Sequence, residues 1–114
     1  MAMLEKNVVK KENMQGGKGT ITITHLLSEK ELAGKCAMFA KVTIPPGAVL
    51  GKHQHNGNTE TYHILSGEGL YDDNGKEIKV KPGDTTFCGD GESHSLTNTS
   101  PTEDLVFMAL IINK

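Results

Sequence analysis

The stretch that decides the fold runs from residue 47 to residue 67 and reads Gly47-Ala-Val-Leu-Gly-Lys-His53-Gln-His55-Asn-Gly-Asn-Thr-Glu60-Thr-Tyr-His-Ile-Leu-Ser-Gly67. It contains two imidazoles and a carboxylate close together, with a glycine at each end. Side chains two positions apart in an extended segment point to the same side of a sheet, so His53 and His55 are expected to share a face. The turn at residues 56–58 would then return Glu60 to that face. The stretch predicts a metal site on paired β-strands.

A further histidine, His94, follows inside a second glycine-rich stretch and would have to come from a separate strand. Three neutral imidazoles and one carboxylate suit a divalent first-row transition metal, and the absence of thiolates favours an open site over a closed structural one. The alternative interpretation is that these are separate surface polar residues in a turn-rich region. The combination of all four side chains in strand contexts favours the metal interpretation.

Outside this stretch the chain is predicted to consist of short strands separated by turns. Residues 20–25 and 36–44 alternate apolar and polar side chains with a period of two, which is typical of half-buried strands. Asn74-Gly75 predicts a hairpin, because a type I′ turn requires positive φ at both central residues. Ser28 and Glu31 match a capping box, which indicates one short helix at most. The pattern predicts an all-β domain, an antiparallel sandwich or barrel.

The two ends of the chain differ in character. Residues 1–19 end in Gln15-Gly-Gly-Lys-Gly19, a composition typical of a mobile arm or of an edge strand completed by a partner, so regular structure is expected to begin after it. The last strand, from about 104 to 112, is apolar on both faces, which predicts that both faces are covered, within a sandwich or at a subunit interface. We therefore expect an N-terminal arm, 1–19, and one β-barrel domain, 20–114.

The composition argues against several classes of partner. The formal net charge is -2, which provides no electrostatic footprint for nucleic acid or an anionic membrane. No stretch is long and apolar enough to cross a bilayer or to act as a signal peptide. Two cysteines without a CxxC motif fit a reducing compartment, so we expect a cytoplasmic protein. All 12 basic residues are lysines, and the chain lacks the bidentate clamp that arginine offers to carboxylates.

At this level of detail the sequence resembles the cupin superfamily. The first cupin motif is matched at every place, by Gly47, His53, His55, Glu60 and Gly67. The second is matched by Gly83, Gly91, His94 and Asn98, with Gly89 in the place of its proline. That departure affects a turn, which glycine can also make.

The resemblance extends over about residues 36–113 and implies a single-domain cupin, a small β-barrel of the double-stranded jelly-roll type. It also implies that His53, His55, Glu60 and His94 hold one divalent metal, Mn, Fe, Co, Ni or Zn, with water completing the coordination. Single-domain members commonly form dimers through sheet edges and N-terminal strands. A homodimer with a small-molecule ligand in the barrel is the resulting expectation.

Several other side chains lie near the motifs in the sequence. Tyr62 shares the parity of Glu60 and could line the cavity, and Glu92 is the only additional carboxylate near His94, so these two are weak catalytic candidates. His63 has the opposite parity and should point away from the metal, and His25 is similar. Cys88 could face the cavity, although, like Cys36, it is expected to be an ordinary free thiol.

Two functions fit these sequence features, and a third fits them less well. The favoured one is a metal-dependent enzyme of the oxygenase, decarboxylase or isomerase type acting on a small organic acid or a sugar-like ligand. The alternative is a non-catalytic, metal-dependent module that binds or senses a small ligand. A storage or structural role ranks lower because the ligand set is complete. The nearest family labels are oxalate-decarboxylase-like and dioxygenase-like, but oxalate decarboxylase proper is disfavoured because the chain has no arginine to hold a substrate carboxylate.

Overall fold

The computed structural model describes residues 3–114 as two antiparallel β-sheets. The strands are β1 (Asn7–Glu12), β2 (Thr20–His25), β3 (Cys36–Ile44), β4 (Val49–Gln54), β5 (Asn58–Ser66), β6 (Gly69–Asp73), β7 (Lys76–Val80), β8 (Thr85–Cys88), β9 (Ser93–Asn98) and β10 (Leu105–Asn113), with a 3-10 turn at Met14–Gly16 and one helix, α1 (Glu29–Leu32). One sheet has the order β1-β2-β3-β10-β5-β8, and the other has the order β4-β9-β6-β7. The all-β prediction is confirmed.

The core lies between the two sheets and consists of the inward-facing residues of alternating strands. In β3 the residues Ala40, Val42 and Ile44 are buried, and in the neighbouring β10 every second residue from Leu105 to Ala109 is fully buried. Full burial of a large aliphatic or aromatic side chain stabilises a fold by about 1.5–3 kcal/mol. The packed strands therefore form a rigid frame that fixes the direction of the polar side chains near one end.

The local turn and capping signals behave as the sequence predicts. Asn74 and Gly75 connect β6 to β7 with φ of 51° and 95°, so both central residues of the hairpin turn have positive φ. At α1, the backbone N–H of Ser28 donates to Glu31 Oε1 at 2.9 Å, and the Ser28 hydroxyl donates to the same atom at 2.7 Å. Residue Ala33, with φ of 54°, ends the helix.

The start of regular structure differs from the prediction. Strand β1 pairs antiparallel with β2, from Asn7 opposite His25 to Glu12 opposite Thr20, so regular structure begins before residue 19. The sequence pattern missed this strand because nearly all of its side chains are exposed, and it therefore lacks the apolar alternation that identifies a half-buried strand. Residues 1 and 2 lie outside the described part of the chain. Exchange of this segment between two copies stays a prediction.

Strand β10 is central in the six-stranded sheet, between β3 and β5. Its inner face is buried, whereas the outer face, which begins at Val106, is partly exposed and ends at Ile112 with 42% exposure. Both faces of β10 were expected to be covered, but within residues 3–114 only its inner face is. In residues 3–114, no helix is long and apolar enough to span a membrane.

Candidate metal centre

Strands from both sheets bring the four predicted ligand residues together. His53 on β4 lies directly opposite His94 on β9, after an irregularity in the pairing that follows Leu50. His55 follows the end of β4, where its N–H donates to the Glu92 carbonyl at 3.0 Å and its carbonyl accepts from Gly91 N–H at 2.7 Å. Glu60 enters from β5, in the other sheet. The backbone on each side of the cluster is therefore fixed by strand pairing or by loop hydrogen bonds.

The side-chain donor atoms converge on one point. His94 Nε2 lies 3.0 Å from His53 Nε2 and 3.1 Å from His55 Nε2. Glu60 Oε1 lies 2.9 Å from His55 Nε2, 3.0 Å from His94 Nε2 and 3.6 Å from His53 Nε2. Three of the four residues are buried, with exposures of 7% for His55, 3% for Glu60 and 1% for His94. The structure thus brings the predicted set into one buried cluster.

The Nδ1 atom of each imidazole has its own hydrogen-bond partner, and these partners determine that Nε2 faces the cluster. His53 Nδ1–H donates to the Gly51 carbonyl and His55 Nδ1–H to Asn58 Oδ1, each at 2.8 Å. His94 Nδ1 lies 2.8 Å from the Tyr71 hydroxyl, which can accept its proton. A proton on Nδ1 leaves the Nε2 lone pair free, as in metal-ligating histidines whose other nitrogen is held by an outer partner.

The donor set fits a divalent transition metal. With Nδ1 protonated in each ring, three Nε2 lone pairs and a carboxylate oxygen face each other, an arrangement that a cation satisfies. One ligand atom from each of the four residues lies within 4.8 Å of the others, so a single small cation could contact all four. The cluster of His53, His55, Glu60 and His94 could therefore hold one metal ion.

The electrostatics favour the metal-binding forms of Glu60 and His94, whereas they favour the protonated form of His53. Burial alone would raise the pKa of Glu60, but hydrogen bonds with His53 and His94, and the charges of His94 and His55, lower it to about 2. Burial lowers the pKa of His94 and favours its neutral form. Burial also acts to lower the pKa of His53, but the hydrogen bonds to Glu60 and to the Gly51 carbonyl outweigh it and raise that pKa. Near neutral pH the carboxylate is ionised and the His94 imidazole is neutral.

A cavity of about 100 Å³ opens beside the cluster. It is lined by His53, His55, Glu60, Tyr62, Gln15, Met14, Met38, Ile23, Val42, Leu50, Phe107, Ala109 and Ile111. The Tyr62 ring stacks on the His94 ring with centroids 4.8 Å apart, and its hydroxyl lies 3.4 Å from His94 Nε2. Burial, and next the charge of Glu60, raise the pKa of Tyr62 well above its usual value, so its hydroxyl stays protonated. The structure thus places Tyr62 at the cavity.

Glu92, the other weak catalytic candidate, is not part of the cavity. Its Oε1 accepts from Gly89 N–H at 2.6 Å, and its Oε2 accepts from Asn74 Nδ2 at 3.1 Å. The carboxylate therefore holds the loop before His94 against the β6–β7 hairpin. The backbone carbonyl of Glu92 accepts a hydrogen bond from the N–H of His55, so Glu92 is connected to the cluster through its backbone.

The remaining residues singled out in the sequence lie away from the cluster. His63 is exposed on the outer face, where its Nδ1 lies 2.8 Å from Thr85 Oγ1, and His25 is half-buried at the end of β2. Cys88 is buried but does not line the cavity, and burial, with the charges of Glu92 and Glu60, raises the pKa of its thiol to about 11. Cys36 is a half-buried free thiol.

Three contributors to the site were missed in the sequence. Tyr71 and Asn58 hold the rings of His94 and His55, and the segment with Met14 and Gln15 forms part of the cavity wall. The alternation in β6 could have placed Tyr71 on an inner face, but the pairing of β6 with β9 is a long-range property. The 14–15 segment carried no apolar pattern that would have connected it to the barrel.

Comparison with known proteins gives a consistent result. The family model described as a cupin domain matches residues 40–111. An oxalate-binding protein from Thermotoga maritima is 49% identical over 100 residues, covering 88% of this chain and 82% of that protein. A crystal structure described as a predicted oxalate decarboxylase from Thermotoga maritima has a TM-score of 0.90 at 43% identity, covering 96% of this chain and 95% of the other.

A cupin domain from Schizosaccharomyces pombe is similar in fold alone, with a TM-score of 0.73 at 13% identity, covering 98% of this chain and 90% of the other. The expected double-stranded β-barrel is therefore confirmed. The family model covers more than half of the residues, and the Thermotoga maritima relative is 49% identical over an alignment that spans most of both chains. This chain therefore belongs to the cupin family.

Proposed function

We propose that this protein binds a small carboxylate ligand, of which oxalate is the first candidate, at a divalent transition metal held by His53, His55, Glu60 and His94. The observation that carries the proposal is the convergence of three free Nε2 atoms and one ionised carboxylate beside a small cavity. The name of the Thermotoga maritima relative, an oxalate-binding protein, supports the choice of ligand. Mn, Fe, Co, Ni and Zn all suit the mixed nitrogen and oxygen set.

The size and lining of the cavity support a compact ligand. Its volume of about 100 Å³ is enough for several water molecules or one small anion. A bound metal would supply positive charge and open coordination positions for an anion. Of the chain's own groups, the protonated Tyr62 hydroxyl is a hydrogen-bond donor beside the cluster, and the apolar side chains exclude water.

An enzymatic role of the oxygenase, decarboxylase or isomerase type is the second candidate function. It is favoured by the position of Tyr62, whose hydroxyl lies within 3.4 Å of His94 Nε2 and could hold or donate a proton. Two observations weigh on the side of binding. Apart from the predicted ligands, Tyr62 is the only titratable side chain among the described residues that line the cavity, and the Glu92 carboxylate is occupied elsewhere. An oxalate decarboxylase would in addition need a group that holds the substrate carboxylate, and this chain has no arginine to do so.

One set of measurements on purified protein tests both candidates. Elemental analysis after metal-supplemented expression should give about one metal per chain. Titration calorimetry should then show that oxalate binds the metal-loaded protein and fails to bind the metal-free protein. Oxygen uptake and CO₂ release with oxalate and other small acids test the enzyme. The absence of metal from the supplemented protein would contradict both functions, and turnover would favour the second.

We also propose that two copies of the chain associate. On the outer face of the six-stranded sheet, one row across the sheet contains Phe39, Leu110, Thr61 and Phe87, from β3, β10, β5 and β8, and three of these four residues are apolar. Phe87 is 59% exposed, and burial of such a row against a second copy would remove apolar surface from water. Light scattering should give twice the mass of one chain at micromolar concentration, and the monomer mass would contradict the proposal.

We place the protein in the cytoplasm because Cys36 and Cys88 are both free thiols. Unpaired thiols, one of them buried, fit a reducing compartment. Fractionation of the native cells, with detection by antibody, tests this location.

A further inference from the structure

The segment before β2 is fixed against the strand that carries His53. Lys18 and Val49 exchange two backbone hydrogen bonds, Lys18 N–H to Val49 O at 2.9 Å and Val49 N–H to Lys18 O at 2.8 Å. Gly17 and Gly51 lie where these two backbones meet, and neither position has room for a Cβ atom, because each would overlap a backbone oxygen of the opposite segment. The 13–19 segment is therefore built into the wall of the barrel.

Gln15 occupies an unusual backbone conformation within this segment. Its φ of 55° and ψ of 33° lie in the left-handed region, which is unfavourable for a residue with a Cβ and natural for glycine. The chain uses glycine at 16, 17 and 19, yet keeps a long polar side chain at 15. Residues held in such conformations cluster at ligand sites, where the side chain is needed despite the strain.

Gln15 also holds a distinct chemical position on the cavity. Apart from His53, His55 and Glu60, Gln15 and Tyr62 are the polar residues of the lining, and every other lining residue is apolar. Tyr62 is buried beside His94, whereas Gln15 is exposed and so lies at the rim. No lysine lines this cavity.

A carboxylate ligand that binds a metal through some of its oxygen atoms has other oxygen atoms that do not contact the metal. If such an oxygen is enclosed by apolar walls without a hydrogen bond, the ligand binds more weakly. We propose that the Gln15 side-chain amide donates a hydrogen bond to the outer oxygen of a metal-bound carboxylate of two to four carbons. This inference rests on the proposed function. It assigns recognition of the outer oxygen to a neutral amide, in a protein that has no arginine to do it.

The test uses the metal-loaded protein and oxalate, with titration calorimetry to measure affinity. Gln15→Gly should weaken oxalate binding about five- to tenfold, the loss of one hydrogen bond. Its metal content should stay at the wild-type level, and its melting temperature without oxalate should stay within a few degrees, since glycine relieves the left-handed strain. Gln15→Glu, which keeps the length and adds a negative charge, should weaken binding more than Gln15→Gly.

Asn13→Gly is the matched control, because Asn13 has a φ of 50° in the same segment and does not line the cavity. Its affinity for oxalate should stay within about twofold of wild type. Wild-type affinity in Gln15→Gly, or equal losses in Asn13→Gly and Gln15→Gly, would overturn the inference and leave the proposed function intact. Failure of the metal-loaded wild type to bind oxalate, glycolate or malonate would overturn both.

Discussion

Two buried polar side chains on strand β9, His94 and Asn98, differ in how their hydrogen-bonding atoms are satisfied. The Asn98 amide donates to the Ile44 carbonyl at 2.9 Å and to the Glu103 carbonyl at 2.8 Å, and its oxygen accepts from Ser100 N–H at 2.9 Å. His94 is held at Nδ1 by Tyr71, while the three groups nearest to Nε2, which belong to His53, His55 and Glu60, offer it no proton under the tautomers assigned above, and the only donor there within residues 3–114 is the Tyr62 hydroxyl at 3.4 Å.

This difference in hydrogen bonding distinguishes a polar residue with a structural role, Asn98, from one that is arranged to bind a ligand, His94. Both are 1% exposed, so burial does not distinguish them. Asn98 connects β9 to the end of β3 and to the loop before β10, and nothing of it remains to bind a ligand. His94 directs its Nε2 lone pair at two further imidazole nitrogens and a carboxylate oxygen, with only a long contact to the Tyr62 hydroxyl, and such a group of acceptors is costly in a folded chain unless a cation occupies the site. Substitutions at the two positions should therefore have different effects, His94 on metal binding and Asn98 on folding.

The largest expected effect is on metal binding when His94 is removed. His94→Ala should lower the metal content from about one per chain to near zero after dialysis, since a lost ligand is expected to cost more than the 10–100-fold that loss of an outer partner costs. Elemental analysis and a competition titration with a chromophoric chelator measure it. His63→Ala is the control, because His63 lies on the outer face near Thr85 and should leave the metal content unchanged. Full metal content in His94→Ala would contradict the assignment.

The next effect is on folding when Asn98 is removed. Asn98→Ala leaves two carbonyls and one amide without their partner, which should reduce the free energy of unfolding by about 3–5 kcal/mol. Urea denaturation of the metal-free protein measures it, with the exposed Asn56→Ala as control. In the same metal-free state His94→Ala should cost less. If Asn98→Ala lost less than His94→Ala did, the structural role given to Asn98 would be wrong.

A smaller effect should follow from removing the outer partner of His94. Tyr71→Phe deletes the hydroxyl that holds Nδ1 and should weaken metal binding about tenfold with the fold unchanged. The absorption spectrum of the cobalt-loaded protein reports the change in the ligand field independently of activity. Tyr62→Phe is the comparison, because Tyr62 contacts the cluster from the cavity side and should affect oxalate affinity more than metal affinity. Equal metal affinity in Tyr71→Phe and wild type would contradict the role given to Tyr71.

The sequence predicted the parts of the fold and site that depend on short-range geometry. The side-chain parity of His53, His55 and Glu60 follows from strand alternation, and the hairpin at Asn74-Gly75 follows from the φ values it requires. The contribution of Tyr71 depends on β6 lying beside β9, and no local pattern encodes that neighbour. Strand β1 and the wall formed by Gln15 were missed because their side chains are mostly exposed and leave no apolar periodicity.

The smallest expected effect is on thermal stability, and it concerns the exposed contact between Asp84 and Lys81, in contrast to the buried side chains of His94 and Asn98. The Asp84 carboxylate accepts from Lys81 N–H at 2.9 Å and from Lys81 Nζ at 3.1 Å, and these hydrogen bonds, the backbone one first, lower its pKa. A carboxyl whose pKa is lower in the folded state stabilises the fold above its unfolded pKa, and this contribution disappears as the pH falls through the folded value. Asp84→Asn keeps the shape and removes the charge.

Thermal melting of wild type and Asp84→Asn should therefore differ slightly at pH 7, with wild type the more stable, and the difference should vanish as the pH falls below the folded pKa of Asp84. Added salt should also reduce the difference at pH 7, because exposed ion pairs are screened and contribute little. A difference that grows towards acid pH would have the wrong sign for a carboxyl with a lowered pKa. Because water can satisfy either partner of this exposed pair, its loss leaves no buried atom unsatisfied, which is why its effect ranks below those of His94 and Asn98.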